Sequence, residues 1–370
     1  MSDKTAVLDF DMLENFAIDV FTSIGVPEED ARICADVLIT ADKRGIDSHG
    51  VSRFKPFYYD RVVRDRIQNP VTDFEVTRDN MAVAVVDGHD GMGMVIAKKA
   101  MDLAIEKARI YGIGMVAAKN STHFGIAGYY ALQACDAGMI GLTGTNTRPA
   151  IAPTWGVENM LGTNPLVFGI PTDEPFHFTN DYATSIAQRG KIEQYDREKK
   201  DLFPQWVIDE SGEPIIDPAR VVEALKEGTA ALNPIGGPGE ENAGYKGYGF
   251  ATVVELLSSS LWQGPYLKML LAVEEGEQKP FHLGHFFIAI NISSFTDLDD
   301  FKKHTGDILR SLRSSKRVPG AERIWTCGEK EYYAWLERSE QGLQIPPALQ
   351  RQLAAMRDEQ SLSDYIFPWE

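Results

Sequence analysis

The hydrophobic pattern of this chain changes its period near residue 70. Between residues 9 and 69, apolar side chains recur at intervals of three and four, as at Leu13, Phe16 and Val20, which is typical of amphipathic helices. From Val71 the period falls to two, and strand-like segments then alternate with helical ones to about residue 292. This order predicts an α/β sheet domain that is flanked by helices from both ends of the chain.

Individual elements follow from the same pattern. Strands are predicted at 71–76, 82–87, 114–118, 140–144, 164–170, 176–181 and 286–292. Helices are predicted at 95–111, 127–137, 221–226, 250–262, 297–312, 329–339 and 348–357. We therefore expect three segments: a helical part at 1–70, an α/β domain at 71–295, and C-terminal helices at 296–370 that pack on the first helices.

Charge and composition exclude several classes of function. The chain has 54 acidic and 37 basic residues, a net charge of −17, and no cluster of Lys and Arg, so we expect no nucleic-acid partner. No apolar run approaches the roughly 20 residues that span a bilayer, so we expect no membrane span. Three widely spaced cysteines and an amino terminus without a signal-peptide pattern predict a cytoplasmic protein. Because an acidic surface repels anions, an anionic substrate needs arginines or lysines inside a cleft.

The usual fingerprints of nucleotide and hydrolase sites are absent from the sequence. The pairs Gly91/Gly93 and Gly247/Gly249 lack the third glycine of G-x-G-x-x-G, so a Rossmann site is not expected. A phosphate-binding G-K-S/T loop, an H-E-x-x-H helix and a G-x-S-x-G turn are also missing.

Two histidine motifs are candidates for acid/base chemistry. In the segment 45–53, Gly50 lets the backbone turn beside His49, and Arg53 lies one helical turn further on, where it could bind an anion. In the segment 120–125, His123 lies near a helix amino terminus, whose dipole keeps an imidazole neutral. The structural alternatives are that each motif is only a helix cap, formed by Ser48 in the first and by Ser121 or Thr122 in the second.

His282 and His285 are the only other histidines close enough in sequence to suggest a metal pair. In an extended segment these two side chains point to opposite faces, and no carboxylate or cysteine is near them in sequence. A structural role is therefore favoured. A metal-dependent hydrolase that uses both histidines is the alternative function from a different class.

Three motifs occur in the order found in one family: residues 44–53 (R-G-I-D-S-H-G-V-S-R), 120–125 (N-S-T-H-F-G) and 161–171 (L-G-T-N-P-L-V-F-G-I-P). With these motifs, the chain resembles the type-2 malate/L-lactate dehydrogenases. That family also includes oxidoreductases of ureidoglycolate, sulfolactate and diketogulonate. The resemblance continues through 181–187, 245–249 and 284–290, and it implies a nicotinamide cofactor on a non-Rossmann, mixed-sheet fold.

The resemblance also implies roles for particular residues. Ser48, His49, Arg53 and His123 would be catalytic, with Arg53 contacting the substrate. The cofactor would contact His123, Asp181, Tyr182, Ala183, Thr184, Ser185, Ile186, Ala187, Tyr245, Lys246, Cys327, Gly328 and Glu329. Two of these positions depart from the family pattern, because Cys327 stands where the family usually has proline and Tyr182 lies in a D-M-A-like segment. No metal ligand is implied, and the family is homodimeric.

The expected reaction is hydride transfer between a nicotinamide cofactor and a small 2-hydroxy or 2-oxo acid. The cofactor is expected to be NAD, with NADP as the alternative because Arg189 and Lys191 could meet a 2'-phosphate. Arg148 follows the strand 140–144, and it would give the cleft a second anion clamp beside Arg53. Two clamps favour malate and oxaloacetate, with sulfolactate, lactate and ureidoglycolate as alternatives. The structural alternative for Arg148 is a surface ion pair.

Overall fold

The computed structural model describes residues 4–370 as two lobes, one helical and one built on a sheet. The α-helices are α1 (Phe10–Ser23), α2 (Glu28–Lys43), α3 (Asp60–Val63), α4 (Gly93–Tyr111), α5 (Gly128–Asp136), α6 (Arg189–Glu198), α7 (Pro218–Glu227), α8 (Gly244–Ser259), α9 (Leu298–Ser314), α10 (Glu329–Gln341) and α11 (Pro347–Glu359). Short 3-10 turns span Val51–Arg53, Leu267–Leu271 and Ile292–Ser294, and a π-helix spans Phe54–Tyr59.

The strands are β1 (Ala6–Leu8), β2 (Glu75–Asn80), β3 (Val83–Asp87), β4 (Ile113–Ser121), β5 (Met139–Thr145), β6 (Leu166–Ile170), β7 (Phe178–Tyr182), β8 (Val207–Asp209), β9 (Ala230–Leu232), β10 (Val273–Glu274), β11 (Glu277–Gln278), β12 (Leu283–Asn291) and β13 (Leu343–Ile345). Seven of them form one sheet in the order β2-β3-β4-β12-β5-β6-β7. The β3–β4 pair is parallel and the other neighbours are antiparallel. This confirms the predicted mixed sheet.

The late strand β12 lies in the middle of the sheet, between two strands that come from the first half of the chain. Its residues Phe286 and Phe287 point to opposite faces, and both are fully buried. Phe287 joins a core under α4 and α5, whereas Phe286 packs with Leu166 and Val254 beneath α8. Because both faces are covered, β12 is predominantly apolar along its length, which is the pattern of an interior strand.

Helices from the two ends of the chain share one core. The strands β1 and β13 pair antiparallel, with Ala6 opposite Ile345. Phe367 and Tyr365 pack edge-on against Phe16 of α1, at ring-centroid distances of 5.3 and 5.1 Å. This confirms the predicted helical unit built from both termini.

The C-terminal helices do not all lie on that core. On α9, Arg310 pairs with Asp173 and Glu174 in the loop after β6, at 3.0 and 2.9 Å. On α10, Arg338 binds the Asp42 carbonyl at the end of α2. The predicted boundary at residue 295 stays a prediction, because α9 contacts the sheet lobe whereas α10 and α11 contact the helical one.

Several elements differ from their predicted bounds for physical reasons. The helix predicted at 250–262 begins six residues earlier, at Gly244, because Gly247 and Gly249 hide its first turns from a propensity pattern. The exposed strand β2 begins at Glu75, four residues after the predicted start. α6, β8 and β9 were not predicted, since α6 is mostly charged and the two strands have three residues each.

No helix in the described part of the chain has both the length and the apolar character that a membrane crossing requires.

Close packing of α4 on the sheet can be tested at Gly114 of β4. A Cβ built there would lie 2.0 Å from the carbonyl oxygen of Ala104, so Gly114→Ala should lower the free energy of unfolding by about 1–3 kcal/mol or more. Gly249→Ala, in α8, meets no atom of its own subunit within 4 Å, so packing within the subunit should leave it neutral or stabilising by about 0.5–1 kcal/mol. Denaturant titrations would measure the unfolding midpoint of each variant relative to the wild type. Equal shifts in the two variants would refute this packing.

Candidate active site

A cavity of about 990 Å³ lies between the helical lobe and the carboxyl ends of β4 and β5. That volume is at the upper end of the range for small-molecule and cofactor sites, roughly 300–1,000 Å³. It is bordered by Ser48, His49, Arg53, Phe57, Arg61, His123, Thr147, Arg148, Asp181, Tyr182, Ala183, Gln188, Arg189, Glu193, Phe281 and Glu331, among others. The two histidine motifs, 75 residues apart in sequence, therefore meet in one site, as expected.

The turn that carries Ser48, His49 and Arg53 is held by a buried carboxylate. Oδ2 of Asp42 accepts a hydrogen bond of 2.8 Å from the Val51 amide. A Cβ on Gly50 would lie 1.9 Å from Oδ1 of Asp42, so the chain needs glycine at this position. Burial raises the pKa of Asp42 to about 8. Within the turn, Nε of Arg53 donates to the Ser48 carbonyl at 2.6 Å, which fixes the direction of the guanidinium.

The rings of His49 and His123 are stacked, with centroids 5.7 Å apart and planes 19° from parallel. Burial and then the nearby Arg53 lower the pKa of His49 to about 4. Burial, followed by the charges of His49, Arg61 and Arg53, holds the pKa of His123 well below its usual range. Both rings are therefore neutral at physiological pH and able to accept a proton.

Tyr58 sets the orientation of His123. Its hydroxyl lies 2.6 Å from Nδ1 of His123, and the Gly125 amide donates to the same nitrogen at 3.3 Å. Because a backbone N–H can only donate, Nδ1 is the acceptor and the neutral ring carries its proton on Nε2. Burial raises the pKa of Tyr58, so its hydroxyl stays protonated and also donates to Nδ1.

Five guanidinium groups border the cavity, those of Arg44, Arg189 and the three arginines Arg53, Arg61 and Arg148. Arg53 and Arg148 were expected there, and Arg61 was not. Arg61 lies over the rings of Phe57 and Phe281, at 4.6 and 4.8 Å, and Arg148 lies 5.6 Å from the centre of Phe281. Across residues 4–370, Arg61 and Arg148 form no ion pair, so the surface pairing considered for Arg148 does not occur.

The other end of the cavity contains Asp181, Tyr182 and Ala183. Oδ2 of Asp181 accepts a 2.8 Å hydrogen bond from the Gly128 amide at the start of α5. Burial raises the pKa of Asp181 to about 6, although that hydrogen bond and the charge of Arg44 oppose the rise. These residues form a polar extension of the cavity away from the three arginines.

The remaining residues of the predicted cofactor segment, Thr184 to Ala187, continue from this wall into the interior. The Thr184 hydroxyl donates to the carbonyls of Thr163 and Asn164, at 3.1 Å each. The Ser185 hydroxyl is buried and has no hydrogen-bond partner among the described residues. The Ile186 amide donates to the Asn233 carbonyl, and Ala187 is buried.

Two further groups predicted from the resemblance do not border the cavity in the described chain. Tyr245 and Lys246 lie in the first turn of α8, where the Lys246 ammonium is 5.8 Å from the Tyr245 ring centre. In the second group, Glu329 is buried against Arg323 and accepts from the Thr326 amide at 3.1 Å. Its neighbours are Gly328, at the start of α10, and the exposed Cys327. Contact of either group with a cofactor stays a prediction.

The two cations considered for a 2'-phosphate, Arg189 and Lys191, lie at the start of α6. Arg189 borders the cavity, and its Nε donates to Glu193 at 3.0 Å. Lys191 is exposed and contacts Gln194 at 3.4 Å. Arg189 thus borders the cavity but already has a carboxylate partner.

His282 and His285 do not share a site. Both ring nitrogens of the buried His285 are hydrogen-bonded, to Thr145 and Ser121 at 2.7 Å each, whereas His282 pairs with Asp90 at 2.8 Å. In the described part of the chain, no group of three or more His, Cys, Asp or Glu side chains is arranged to hold a metal ion. The hydrolase alternative therefore has no site here.

Sequence reasoning missed Tyr58 and Arg61. A usable signal was the spacing of Arg53, Phe57 and Arg61 at intervals of four, which places three side chains on one face of a helical segment. The π-helix Phe54–Tyr59 lies inside this interval, and π-turns are frequent at functional sites.

Comparisons with known proteins identify the family of the chain. The malate/L-lactate dehydrogenase family matches residues 8–354. A malate dehydrogenase of Pyrococcus abyssi is 44% identical over 336 residues, which cover 90% of each protein. An L-sulfolactate dehydrogenase of Methanocaldococcus jannaschii is 39% identical over 353 residues, which cover 94% of this chain and 96% of that protein.

A solved structure shows the same fold throughout. The malate dehydrogenase from Entamoeba histolytica superposes with a TM-score of 0.94 at 42% identity, covering 99% of this chain and 100% of that one. The chain belongs to the malate/L-lactate dehydrogenase family.

Proposed function

We propose that this protein is a nicotinamide-dependent dehydrogenase that interconverts malate and oxaloacetate. The observation that carries the proposal is the single cavity in which two neutral histidines adjoin guanidinium groups without carboxylate partners. Oxidation of a 2-hydroxy acid needs a proton acceptor at the hydroxyl and a cation for the carboxylate, and the cavity provides both. Malate dehydrogenases among the relatives support the choice of substrate.

The two histidines have different roles in this proposal. The Ser48 hydroxyl lies 2.8 Å from Nδ1 of His49, and when Nδ1–H donates to it, Nε2 of His49 is free to take the hydroxyl proton. Nε2–H of His123, fixed by the donors at its Nδ1, would donate to the same substrate oxygen. The adjacent carboxylate of the substrate would bind Arg53. The proton of the hydroxyl thus moves to His49 as the hydride leaves the carbon.

The cofactor, when bound, supplies the acceptor for that hydride. The chain fits such a group in three ways: the cavity extends to Asp181, and among residues 4–370 the Ser185 hydroxyl beyond it has no hydrogen-bond partner and Lys246, at the amino terminus of α8, has no ion pair. Helix amino termini and lysines favour phosphate groups. We propose NAD rather than NADP, since Arg189 already has Glu193 as partner. Parallel titrations with the two cofactors would test this choice.

The first experiment is an assay of malate oxidation and oxaloacetate reduction, followed by the absorbance of the reduced nicotinamide. The proposal requires turnover with malate that a chelator does not abolish. Turnover of sulfolactate, lactate or ureidoglycolate in place of malate would refute malate as the substrate and assign the activity of another member of the family. A cytoplasmic location is consistent with Cys34 and Cys135, which are buried free thiols.

Removal of either histidine should abolish most of the activity without unfolding the protein. We expect His49→Ala and His123→Ala to lower kcat by about 10²-fold or more, as for loss of general acid/base catalysis. Because the pKa values of both rings are depressed, the neutral form persists as the pH falls. The wild-type profile of kcat/KM should therefore show no acid limb near the ordinary histidine pKa of about 6.5. Near-normal turnover in both variants would refute the assignment.

Tyr58 is expected to act as a positioning residue. Tyr58→Phe removes a hydroxyl that orients His123, so kcat should fall by about tenfold, as for one hydrogen bond of roughly 1.5 kcal/mol, while KM for malate changes little. Tyr59→Phe is the matched control, because the Tyr59 hydroxyl on the same π-helix contacts Glu359 instead. Equal kinetic losses in the two variants would mean that Tyr58 has only a structural role.

We propose that the protein is a homodimer and that α8 lies in its interface. The outward side chains Phe250, Val253 and Leu256 are 48%, 47% and 53% exposed, so α8 is apolar on both of its faces. Such a helix is usually buried on all sides.

Sedimentation should therefore give a dimer at micromolar concentration, and Val253→Glu should shift it toward monomer because it places a charge in an apolar interface. Met81→Glu, at an exposed apolar position in the β2–β3 turn and outside α8, should leave the dimer intact. A wild-type monomer would overturn the proposal.

A further inference from the structure

Arg61 lies in an unusual environment for a charged side chain. Only 8% of the residue is exposed, and its guanidinium lies between the rings of Phe57 and Phe281. Arg148 approaches the same Phe281 ring from a different part of the chain, the loop after β5. The described chain places no carboxylate within ion-pair distance of either group. Two positive charges thus share one aromatic ring in the cavity wall.

This arrangement is unfavourable unless a ligand neutralises it. Burial disfavours a charged group, and a like charge nearby disfavours it further. Both effects are visible at Arg61, whose pKa is lowered to about 10 by burial and then by Arg148. At an arginine that binds no ligand, neighbouring carboxylates usually offset these costs. In the described chain no carboxylate lies within ion-pair distance of Arg61 or Arg148, and the charge of Asp65 offsets the cost at Arg61 only in part, which points to an anion that is not part of the protein.

Shared ring contacts divide the arginines of this wall into two groups. Arg53 and Arg61 lie 5.1 and 4.6 Å from the centre of the Phe57 ring, and Arg61 and Arg148 lie 4.8 and 5.6 Å from the centre of the Phe281 ring. Arg53 is also held in the turn of His49, because its Nε donates to the Ser48 carbonyl. Arg53 therefore belongs with the histidine turn, and Arg61 with Arg148 forms a second pair of cations.

We propose that Arg61 and Arg148 together form a subsite for a second anionic group of the substrate, a carboxylate or a sulfonate at the end remote from the hydroxyl. The inference rests on the proposed 2-hydroxy-acid dehydrogenase function and names the feature that selects among such acids. Arg61 belongs to the helical lobe and Arg148 to the sheet lobe, so the second anion would contact both lobes. A monoanionic acid such as lactate would leave both guanidiniums without a partner.

Substrate preference gives the first test. We would measure kcat/KM for malate, sulfolactate and lactate in the wild type, Arg61→Gln, Arg148→Gln and the double variant. Each single substitution should lower the ratio of kcat/KM for malate to kcat/KM for lactate by at least tenfold. The double variant should show little further decrease in this ratio, because the same subsite is destroyed in each case. Arg64→Gln is the matched control, since Arg64 is exposed and pairs with Asp60 and Glu359 outside the cavity. Its ratio should equal that of the wild type.

Binding without turnover gives the second test. Succinate, a dianion that lacks the hydroxyl, should raise the melting temperature of the wild type in the absence of cofactor, and butyrate at equal concentration should not. Arg61→Gln should lose the succinate effect. If that variant does not fold, Arg61→Lys and Arg148→Gln are tested for the same loss of the succinate effect. Arg61→Lys should also lose it, because the point charge of an ammonium cannot replace the planar fork of a guanidinium.

The outcomes separate this inference from the proposed function. A wild type that oxidises no 2-hydroxy acid refutes the function. A wild type that prefers malate, together with Arg61 and Arg148 variants that keep that preference and the succinate effect, refutes the subsite alone. Variants that lose the preference for malate over lactate but keep the preference for sulfolactate over lactate would show that the pair binds a carboxylate specifically. The opposite result would show a sulfonate site. Either result supports the subsite.

Discussion

The buried imidazole of His285 joins the two strand ends on which the site depends. It lies on the central strand β12, with Nε2 bonded to the Ser121 hydroxyl at the end of β4 and Nδ1 to the Thr145 hydroxyl at the end of β5. His123 follows Ser121 by two residues, and Arg148 follows Thr145 by three. Burial lowers the pKa of His285 to about 3, so the ring stays neutral and keeps one donor and one acceptor. The insertion of β12 between β4 and β5 thus fixes the spacing of His123 and Arg148, the proposed proton donor and the proposed anion-binding arginine.

The helical lobe supplies the other half of the site through a turn held by a buried aspartate and a π-helix. Asp42 at the end of α2 holds the turn at Gly50, and the π-helix Phe54–Tyr59 follows directly. In a π-helix the backbone hydrogen bonds join residues i and i+5, so the turn is wider than in an α-helix. Tyr58 therefore points at His123 while Phe57 remains in the cavity wall. Neither lobe contains a complete site, and the substrate would lie where their surfaces meet.

Much of the fold could be predicted because it depends on local periodicity. The change of period near residue 70 predicted the boundary between helices and sheet, and the two histidine motifs predicted the residues that meet across the cavity. Arg61 escaped prediction because its spacing from Arg53 indicates only a shared helical face, whereas its burial without an ion pair depends on packing against Phe281, which is distant in sequence. The predicted cofactor contact of Cys327 rests on resemblance alone, and that of Lys246 rests on resemblance and on its place at the amino terminus of α8, since both residues lie outside the cavity wall in the described chain.

The charges around the cavity also couple binding to proton transfer. Arg53 contributes to the depressed pKa of His49, and Arg61 and Arg53 contribute to that of His123, in each case after burial. An anionic substrate that neutralises these arginines removes part of that effect, so the pKa of each imidazole rises when the substrate binds. A histidine with a higher pKa is a stronger proton acceptor, and its efficiency as a base increases as its pKa approaches the working pH. In the proposed mechanism, the local cluster of positive charge in a chain with a net charge of −17 would therefore serve two purposes: it would bind the anionic substrate, and it would make His49 a stronger base once that substrate is bound.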